Sequence, residues 1–399
     1  MLLLRNPVQR YPWGAVDGLA AIVGSVASGG PEAELWVGTH PSAPSLVAGD
    51  PAGRTLAQVI AADPPRWLGS GLAGQGHTAL PFLLKVLAIG APLSLQAHPS
   101  ADQAAAGFDR EEAAGIPLDA PGRLYKDRSP KPESLVALSD TWALCGFRKQ
   151  GEAAELVADL QVPELEPLEM VLRGGGVSAH RNALSWLLHL PIEVAGPVGR
   201  AVAQAVAQVD SHDHRDPRSW VRDLVARYPD DPTCLAPLLL HVVHLRPGDA
   251  VHLPAGNLHA YLTGSGVELM AASDNVLRCG LTAKHVDVDA LLSVLQFSPG
   301  VPPAPIHTDL GGGLAIFDSG EDAYGLAVVD AAAEPAVIEP AGPSLLLATG
   351  GGIDVAGEDD GVSIDHGDAV FVPPGAGPLS ITGSGRLWWA TVGDALPTR

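Results

Sequence analysis

Gly248-Asp249-Ala250-Val251-His252-Leu253-Pro254-Ala255-Gly256 returns further along the chain as Gly367-Asp368-Ala369-Val370-Phe371-Val372-Pro373-Pro374-Gly375. The shared form is G-D-A-V-x-x-P-x-G. Each copy reads as a turn, a short apolar strand and a second turn, because Gly and Pro punctuate both ends. A turn–strand–turn unit that recurs within one chain predicts two copies of one β-barrel. The copies part company just beyond the motif. The first continues Asn257-Leu258-His259, whereas the second has Pro378 at the offset of His259, and proline cannot ligate a metal. One barrel is therefore expected to hold a site, and the other to be a structural relative without it.

The remaining composition fits this reading. The chain has 399 residues, and a soft prior of roughly 150 residues per domain gives two or three domains. Gly (46) and Pro (36) make it turn-rich, as many short strands require. Residues 1–100 read as strands and turns. The stretch PFLLKVLAIGAPLSLQAHP (81–99) holds two apolar runs around a Gly-Ala-Pro turn, which predicts a hairpin or a sheet corner. A helix is expected over 100–107, with Ser100 as N-cap and Gly107 as stop. Between 150 and 240 the pattern changes. GEAAELVADL, RNALSWLLHL, GRAVAQAVAQV and RSWVRDLVARY place apolar residues at i, i+3 and i+4, and Trp220, Leu224 and Val225 share one face. This block reads as helices that pack, with no chemistry assigned to them.

Charge and cysteine usage exclude several functions. A net charge of −21 repels phosphate backbones, and no basic stripe offsets it, so nucleic acid is not a partner. The three Cys (Cys145, Cys234, Cys279) form no CxxC pair and fit a reducing cytoplasm. The longest apolar stretch, Leu235 to Leu245, contains two His and is too short to span a membrane. Lysine is scarce, yet Lys85, Lys126, Lys131 and Lys284 fall in or beside the segments able to do chemistry. In so acidic a chain, that clustering predicts a local positive pocket for an anionic ligand such as a phosphate.

Four segments can carry chemistry. In Ser94-Leu95-Gln96-Ala97-His98, strand alternation puts Gln96 and His98 on one face and Leu95 and Ala97 on the other. A polar pair facing a barrel interior needs a partner, and a metal ion is one; a solvent-facing polar edge is the plain alternative. Lys131-Pro132-Glu133 is held extended by Pro130 and Pro132, so that Lys131 and Glu133 lie on one side. His259 follows a Pro-Ala-Gly-Asn turn that fixes its approach. Arg278, after two apolar residues and before Cys-Gly, answers a buried anion or else bridges to Glu268 or Asp274.

These segments resemble the type I mannose-6-phosphate isomerases. The matching pieces are Tyr11-Pro12-Trp13-Gly14, Glu34 through Pro41, Phe82-Leu83-Leu84-Lys85, Gln96-Ala97-His98-Pro99, Lys131-Pro132-Glu133, Pro254 through Tyr261, and Val267 through Lys284. They stand in family order over residues 11 to about 290. The resemblance departs at Ser129-Pro130, where the family usually has Asn-His. It departs again at Ser100-Ala101, where the family often has Asp-Lys.

The resemblance implies a mainly β protein with a helical insertion: two cupin-like, jelly-roll barrels plus an α-helical domain. Residues 1–149 with 241–295 would form the catalytic barrel, 150–240 the helical domain, and 296–399 a C-terminal barrel without metal ligands. It implies one Zn²⁺ per chain on Gln96, His98, Glu133 and His259, with Arg278 catalytic. Lys85, Lys131 and Glu268 match pocket positions, and Trp13 joins them as a substrate contact. Two His, one carboxylate and one amide oxygen suit zinc and leave positions open for water or substrate.

The implied reaction interconverts mannose 6-phosphate and fructose 6-phosphate through a cis-enediol, with Lys131 or a metal-bound water as the proton carrier and His98 a poorer candidate if it ligates the metal. The enzyme would act as a cytoplasmic monomer on a free sugar phosphate, feeding mannosylation precursors or mannose catabolism. A non-catalytic sugar-phosphate sensor is the rival reading, and the pairing of Lys131 with Arg278 weighs against it. An iron oxygenase is disfavoured by Gln96, since that class uses two His and one carboxylate.

Overall fold

The computed structural model describes residues 1–176, 178–332 and 334–397. It is mostly sheet, with several helices. Strand His259–Ala271 is the spine of a ten-stranded sheet. Its first part pairs with Thr141–Phe147, and its second part with Phe82–Ile89 on one side and Glu133–Ala137 on the other. Leu95–Ala97 meets its start through the pairing of His259 with Gln96. The two apolar runs of 81–99 thus both pair with the spine, which makes a sheet corner of them.

Alternation along these strands separates two environments. On Phe82–Ile89, Leu84, Val86 and Ala88 face an apolar layer shared with the C-terminal sheet, whereas Leu87 and Ile89 face a second apolar cluster on the interior side, with Leu135, Ala143 and Tyr261. Lys85 falls on the interior side by the same period of two. The spine itself changes face. Its register passes from Ala143↔Tyr261 to Trp142↔Thr263, so Leu262 is an extra, bulged residue. The bulge inverts the alternation, and Tyr261 before it and Glu268 and Met270 after it all reach one cavity. Two residues on, Gly264 adopts φ 117° against Thr141, where a Cβ would lie 2.4 Å from the threonine hydroxyl. Only glycine fits that close approach.

The C-terminal part contributes most of an eight-stranded sheet and a four-stranded sheet. Strand Ser344–Ala348 is buried on both faces. Leu346 and Ala348 pack into the core between these two sheets, while Leu345 and Leu347 pack against the ten-stranded sheet. Trp388 and Trp389 divide in the same way. The repeated motif supplies corresponding strands, Ala250–Leu253 and Ala369–Val372. One feature crosses the expected division of the chain: strand Leu2–Arg5 pairs with Ala369–Val372 and Leu46–Val47, inside the eight-stranded sheet.

The 150–240 block is helical, over Gln150–Ala158, Glu166–Gly174, Ala179–Leu188, Ile192–Ala205 and Pro217–Arg227. Trp220, Leu224 and Val225 are buried in its core, as their spacing predicted. The helix capped by Ser100 does not stop at Gly107 but runs Ala101–Ala113. Gly107 is a packing glycine: its Cα sits against the Tyr125 ring, where a Cβ would come within 2.5 Å.

Candidate active site and metal centre

Three buried side chains form the floor of the site. The donor atoms of His98, Glu133 and His259 all lie within 4.8 Å of one another. His98 Nε2 is 3.4 Å from Glu133 Oε1, and His259 Nε2 is 3.5 Å from Oε2. Both imidazoles are oriented from behind. His98 Nδ1 donates to the Asn275 carbonyl at 2.8 Å, and His259 Nδ1 donates to the Asn257 carbonyl at 3.1 Å. A carbonyl only accepts, so the proton sits on Nδ1 in each ring and the Nε2 lone pair points inward. Among the described residues neither Nε2 has a hydrogen-bond partner, although both are buried. Leaving two such atoms unmatched is costly. Two inward lone pairs beside a carboxylate are a donor set suited to a divalent ion, with backbone carbonyls holding the rings in place. The residues present fit zinc.

Local chain geometry explains the convergence. His98 directly follows the corner strand, and its carbonyl accepts from Gly256 N at 2.8 Å, which ties the turn before His259 to the His98 backbone. Glu133 begins strand Glu133–Ala137, delivered by Pro132, and pairs with Met270 of the spine. Gln96 lies across the ladder from both His259 and Arg278 and lines the cavity, where its Oε1 accepts from Ser94 Oγ at 3.3 Å.

Above this floor opens a cavity of about 680 Å³. Trp13, Lys85, Gln96, Lys131, Glu133, Glu268 and Arg278 all line it. Lys131 Nζ is 3.0 Å from Glu133 Oε1. Lys85 Nζ donates to Glu268 Oε2 at 3.3 Å, lies 3.7 Å from Glu34 Oε2 and sits over the Trp36 ring. The Trp36 indole N–H donates to Glu34 in turn. His252, the other histidine of the first motif copy, does not join the floor.

Electrostatics divides the groups by role. Burial lowers the His98 pKa to about 4, so the ring is neutral and free to ligate at ordinary pH. Burial works against a charged Glu133, but Lys131 and His98 outweigh it and hold the carboxyl well below its usual range. Burial likewise opposes a charged Lys85, yet Glu34 and Glu268 keep it protonated above the ordinary lysine range. Burial raises the Glu268 pKa, Lys85 opposes that, and the charge of Glu133 adds to the rise.

The cavity also contains residues the sequence did not single out. Tyr261 is one: its buried hydroxyl has no hydrogen-bond partner among the described residues, and burial, then Glu268, pushes its pKa well up. It lies two residues beyond His259 on the same strand face, so strand alternation carried a signal for it. His40 contributes Nε2 at 3.1 Å from Asp274 Oδ1. Arg227 and Tyr228 come from the helical block, where nothing in the Ala/Leu pattern marks a functional side chain. Arg278, Lys284 and Arg227 line the cavity without an ion pair among the described residues, so the bridge from Arg278 to Glu268 or Asp274 is not made.

Comparisons with known proteins agree with this geometry. The family description "Phosphomannose isomerase type I, catalytic domain" matches residues 1–150. The mannose-6-phosphate isomerase of Shigella flexneri is 34% identical over 395 residues, covering 97% of this chain and 98% of that protein. Mannose-6-phosphate isomerase 1 of Arabidopsis thaliana is 30% identical over 395 residues, covering 93% and 88%. Among solved structures, the Salmonella typhimurium mannose 6-phosphate isomerase bound to fructose 6-phosphate and zinc superposes with a TM-score of 0.90 at 30% identity, over 98% of this chain and 99% of that one.

Proposed function

The chain belongs to the type I mannose-6-phosphate isomerases, and from that membership we infer how its own residues carry the reaction. It is a zinc-dependent aldose–ketose isomerase that interconverts mannose 6-phosphate and fructose 6-phosphate. The observation that carries the site assignment is the pair of buried, unpartnered Nε2 atoms of His98 and His259 turned toward Glu133. We assign these three as zinc ligands, with the Gln96 amide oxygen as the fourth. Bound zinc supplies Lewis-acid polarisation of the substrate oxygens at C1 and C2.

The protein groups do the rest. Isomerisation moves a proton between C1 and C2 by way of an enediol, so a base must stand over that bond and a cation must meet the charge that develops on oxygen. We assign the proton transfer to Lys131, which lines the cavity beside the Glu133 carboxylate. Arg278 meets the developing negative charge, since no carboxylate already neutralises it. The phosphate needs cations of its own. Lys85 and Lys131 are matched by Glu34, Glu268 and Glu133, whereas Arg278, Lys284 and Arg227 are not. We assign the dianion to Lys284 and Arg227, and Trp13, stacked on Tyr11, lines the same cavity as a substrate contact.

We propose two cupin-like barrels and a helical domain, divided at 1–149 with 241–295, 150–240 and 296–399; one apolar cluster lies within each barrel, and two larger clusters join the catalytic barrel to the helices and to the C-terminal barrel. Strand Leu2–Arg5 is then lent to the C-terminal barrel. The site is complete within one chain, which suits a monomer, and three free buried cysteines suit a reducing cytoplasm. The deciding experiment measures zinc in the purified protein and turnover of mannose 6-phosphate before and after chelation. One zinc per chain, with activity lost on chelation and restored by Zn²⁺, is expected. Full turnover by metal-free protein would overturn the assignment.

A further inference from the structure

A second polar cluster lies on the far side of the strand that carries Glu133. Adjacent strand residues point to opposite faces, so Glu133 enters the cavity while Ser134 faces the C-terminal unit. Ser134 pairs in the ladder with His252, just as Glu133 pairs with Leu253. Ser134 Oγ is 3.1 Å from His252 Nδ1 and 3.0 Å from Tyr324 Oη. His252 Nε2 is 3.3 Å from Glu321 Oε1. Ser134, His252 and Tyr324 are buried. Glu321 and Tyr324 belong to the segment leading into strand Gly325–Asp330 of the C-terminal sheet. Gly393 packs closely against that segment: its N–H donates to the Asp322 carbonyl at 3.1 Å, and a Cβ there would lie 2.0 Å from the Glu321 carbonyl oxygen.

One donor order satisfies every group. The Tyr324 hydroxyl donates to Ser134 Oγ and the Ser134 hydroxyl donates to His252 Nδ1, which leaves the ring proton on His252 Nε2, at ion-pair distance from the Glu321 carboxylate. This tautomer is the reverse of that in His98 and His259, consistent with a histidine that bridges instead of ligating. The chain of bonds runs from one unit to the other and ends one residue from Glu133.

We propose that the C-terminal unit positions the metal centre, with Glu321 and Tyr324 holding His252 and Ser134 so that Glu133 is set at the correct place in the donor set. This rests on the zinc reading above. Metal sites tolerate little displacement of a carboxylate, and groups that brace the ligands contribute about 10–100-fold to affinity. The role assigned is positioning: none of these four side chains lines the cavity.

The test uses the full-length holoenzyme and its variants. Zn²⁺ affinity is read by competition with a chromophoric chelator, beside kcat and KM for mannose 6-phosphate and the thermal midpoint. Tyr324→Phe keeps the ring and removes only the hydroxyl, and Glu321→Ala removes the acceptor. Each is expected to weaken Zn²⁺ binding about ten-fold and to lower kcat with KM within two-fold. Glu321→Gln, which keeps an acceptor oxygen, should restore both. Leu326→Val, which thins the same apolar layer between the units, should lower the thermal midpoint and leave Zn²⁺ affinity unchanged. Tyr324→Phe and Glu321→Ala with wild-type Zn²⁺ affinity, or a loss matched by Leu326→Val, would overturn the proposal while leaving the zinc assignment standing. A wild-type protein that bound no zinc would overturn both.

Discussion

Lys85 stands directly across the β-ladder from Glu268, with its Nζ 3.3 Å from Oε2 and both side chains buried. Glu34, on the next strand, makes the lysine the shared cation of two carboxylates. Replacing it with Met removes the charge and keeps the bulk, leaving two buried carboxyls without a counter-ion. Breaking such a pair costs about 3 kcal/mol or more. Denaturant unfolding of Lys85→Met should show a loss of that order, and Glu268→Gln a smaller one because Glu34 remains. Equal stability of Lys85→Met and wild type would mean that the carboxylates are satisfied elsewhere.

Glu133 stands between the two histidines, so its substitution should remove the metal without removing the fold. Glu133→Gln keeps the volume and loses the anion. His259→Ala removes one inward lone pair. Both proteins should purify with zinc well below one equivalent and with mannose 6-phosphate turnover reduced by orders of magnitude. Elemental analysis beside circular dichroism checks this. A folded His259→Ala protein carrying a full zinc equivalent would take that residue out of the ligand set.

Some of this site could be read from the chain, for physical reasons. Gln96 with His98, and Lys131 with Glu133, are neighbours at i and i+2, and an extended backbone puts such pairs on one face whatever surrounds them. The His259 approach is fixed by its own turn. Other features depend on register between distant segments. Lys85 meets Glu268 across a ladder joining residues 183 apart. The bulge at Leu262, which turns Glu268 and Met270 to the same cavity as Tyr261, has no motif of its own. Arg227 lies on an amphipathic helix whose periodicity reports only packing, and it reaches the cavity because of how the helical block docks. Strand Leu2–Arg5 is apolar enough for either sheet, and only the pairing partners decide.

His98 gives the metal-free protein a pH dependence. Burial lowers its folded pKa to about 4, while the unfolded chain takes up that proton near 6.5. Between these values the unfolded state binds more protons, so stability falls as pH falls. Glu133 acts in the same direction, since its folded carboxyl lies well below 4.5 and its stabilisation is lost as acid protonates it. Together they should lower unfolding free energy by roughly 3 kcal/mol between pH 6.5 and 4. Chelator-treated protein followed by urea titration across that range reads this directly. A flat profile in wild type, or the same slope in His98→Asn, would contradict the assignment.

Arg278 and Lys284 line the same cavity without carboxylate partners, yet the reaction asks different things of them. Burial lowers the pKa of both, and in Lys284 the charge of Arg278 adds to the effect, so the two cations repel each other until an anion arrives. The substrate phosphate carries its charge equally in ground and transition states. A residue that meets only the phosphate therefore adds uniform binding, and its loss raises KM while leaving kcat nearly unchanged. Charge on the enediolate oxygen exists only near the transition state, so its partner acts on kcat. Lys284→Ala should raise KM for mannose 6-phosphate about ten-fold and weaken inhibition by inorganic phosphate by a similar factor. Arg278→Ala should lower kcat by about 10²–10³-fold with zinc content intact. If Lys284→Ala instead lost kcat at unchanged KM, lysine would be the group facing the reacting oxygens and arginine the phosphate anchor. The phosphate inhibition constant in Arg278→Ala would then rise to match.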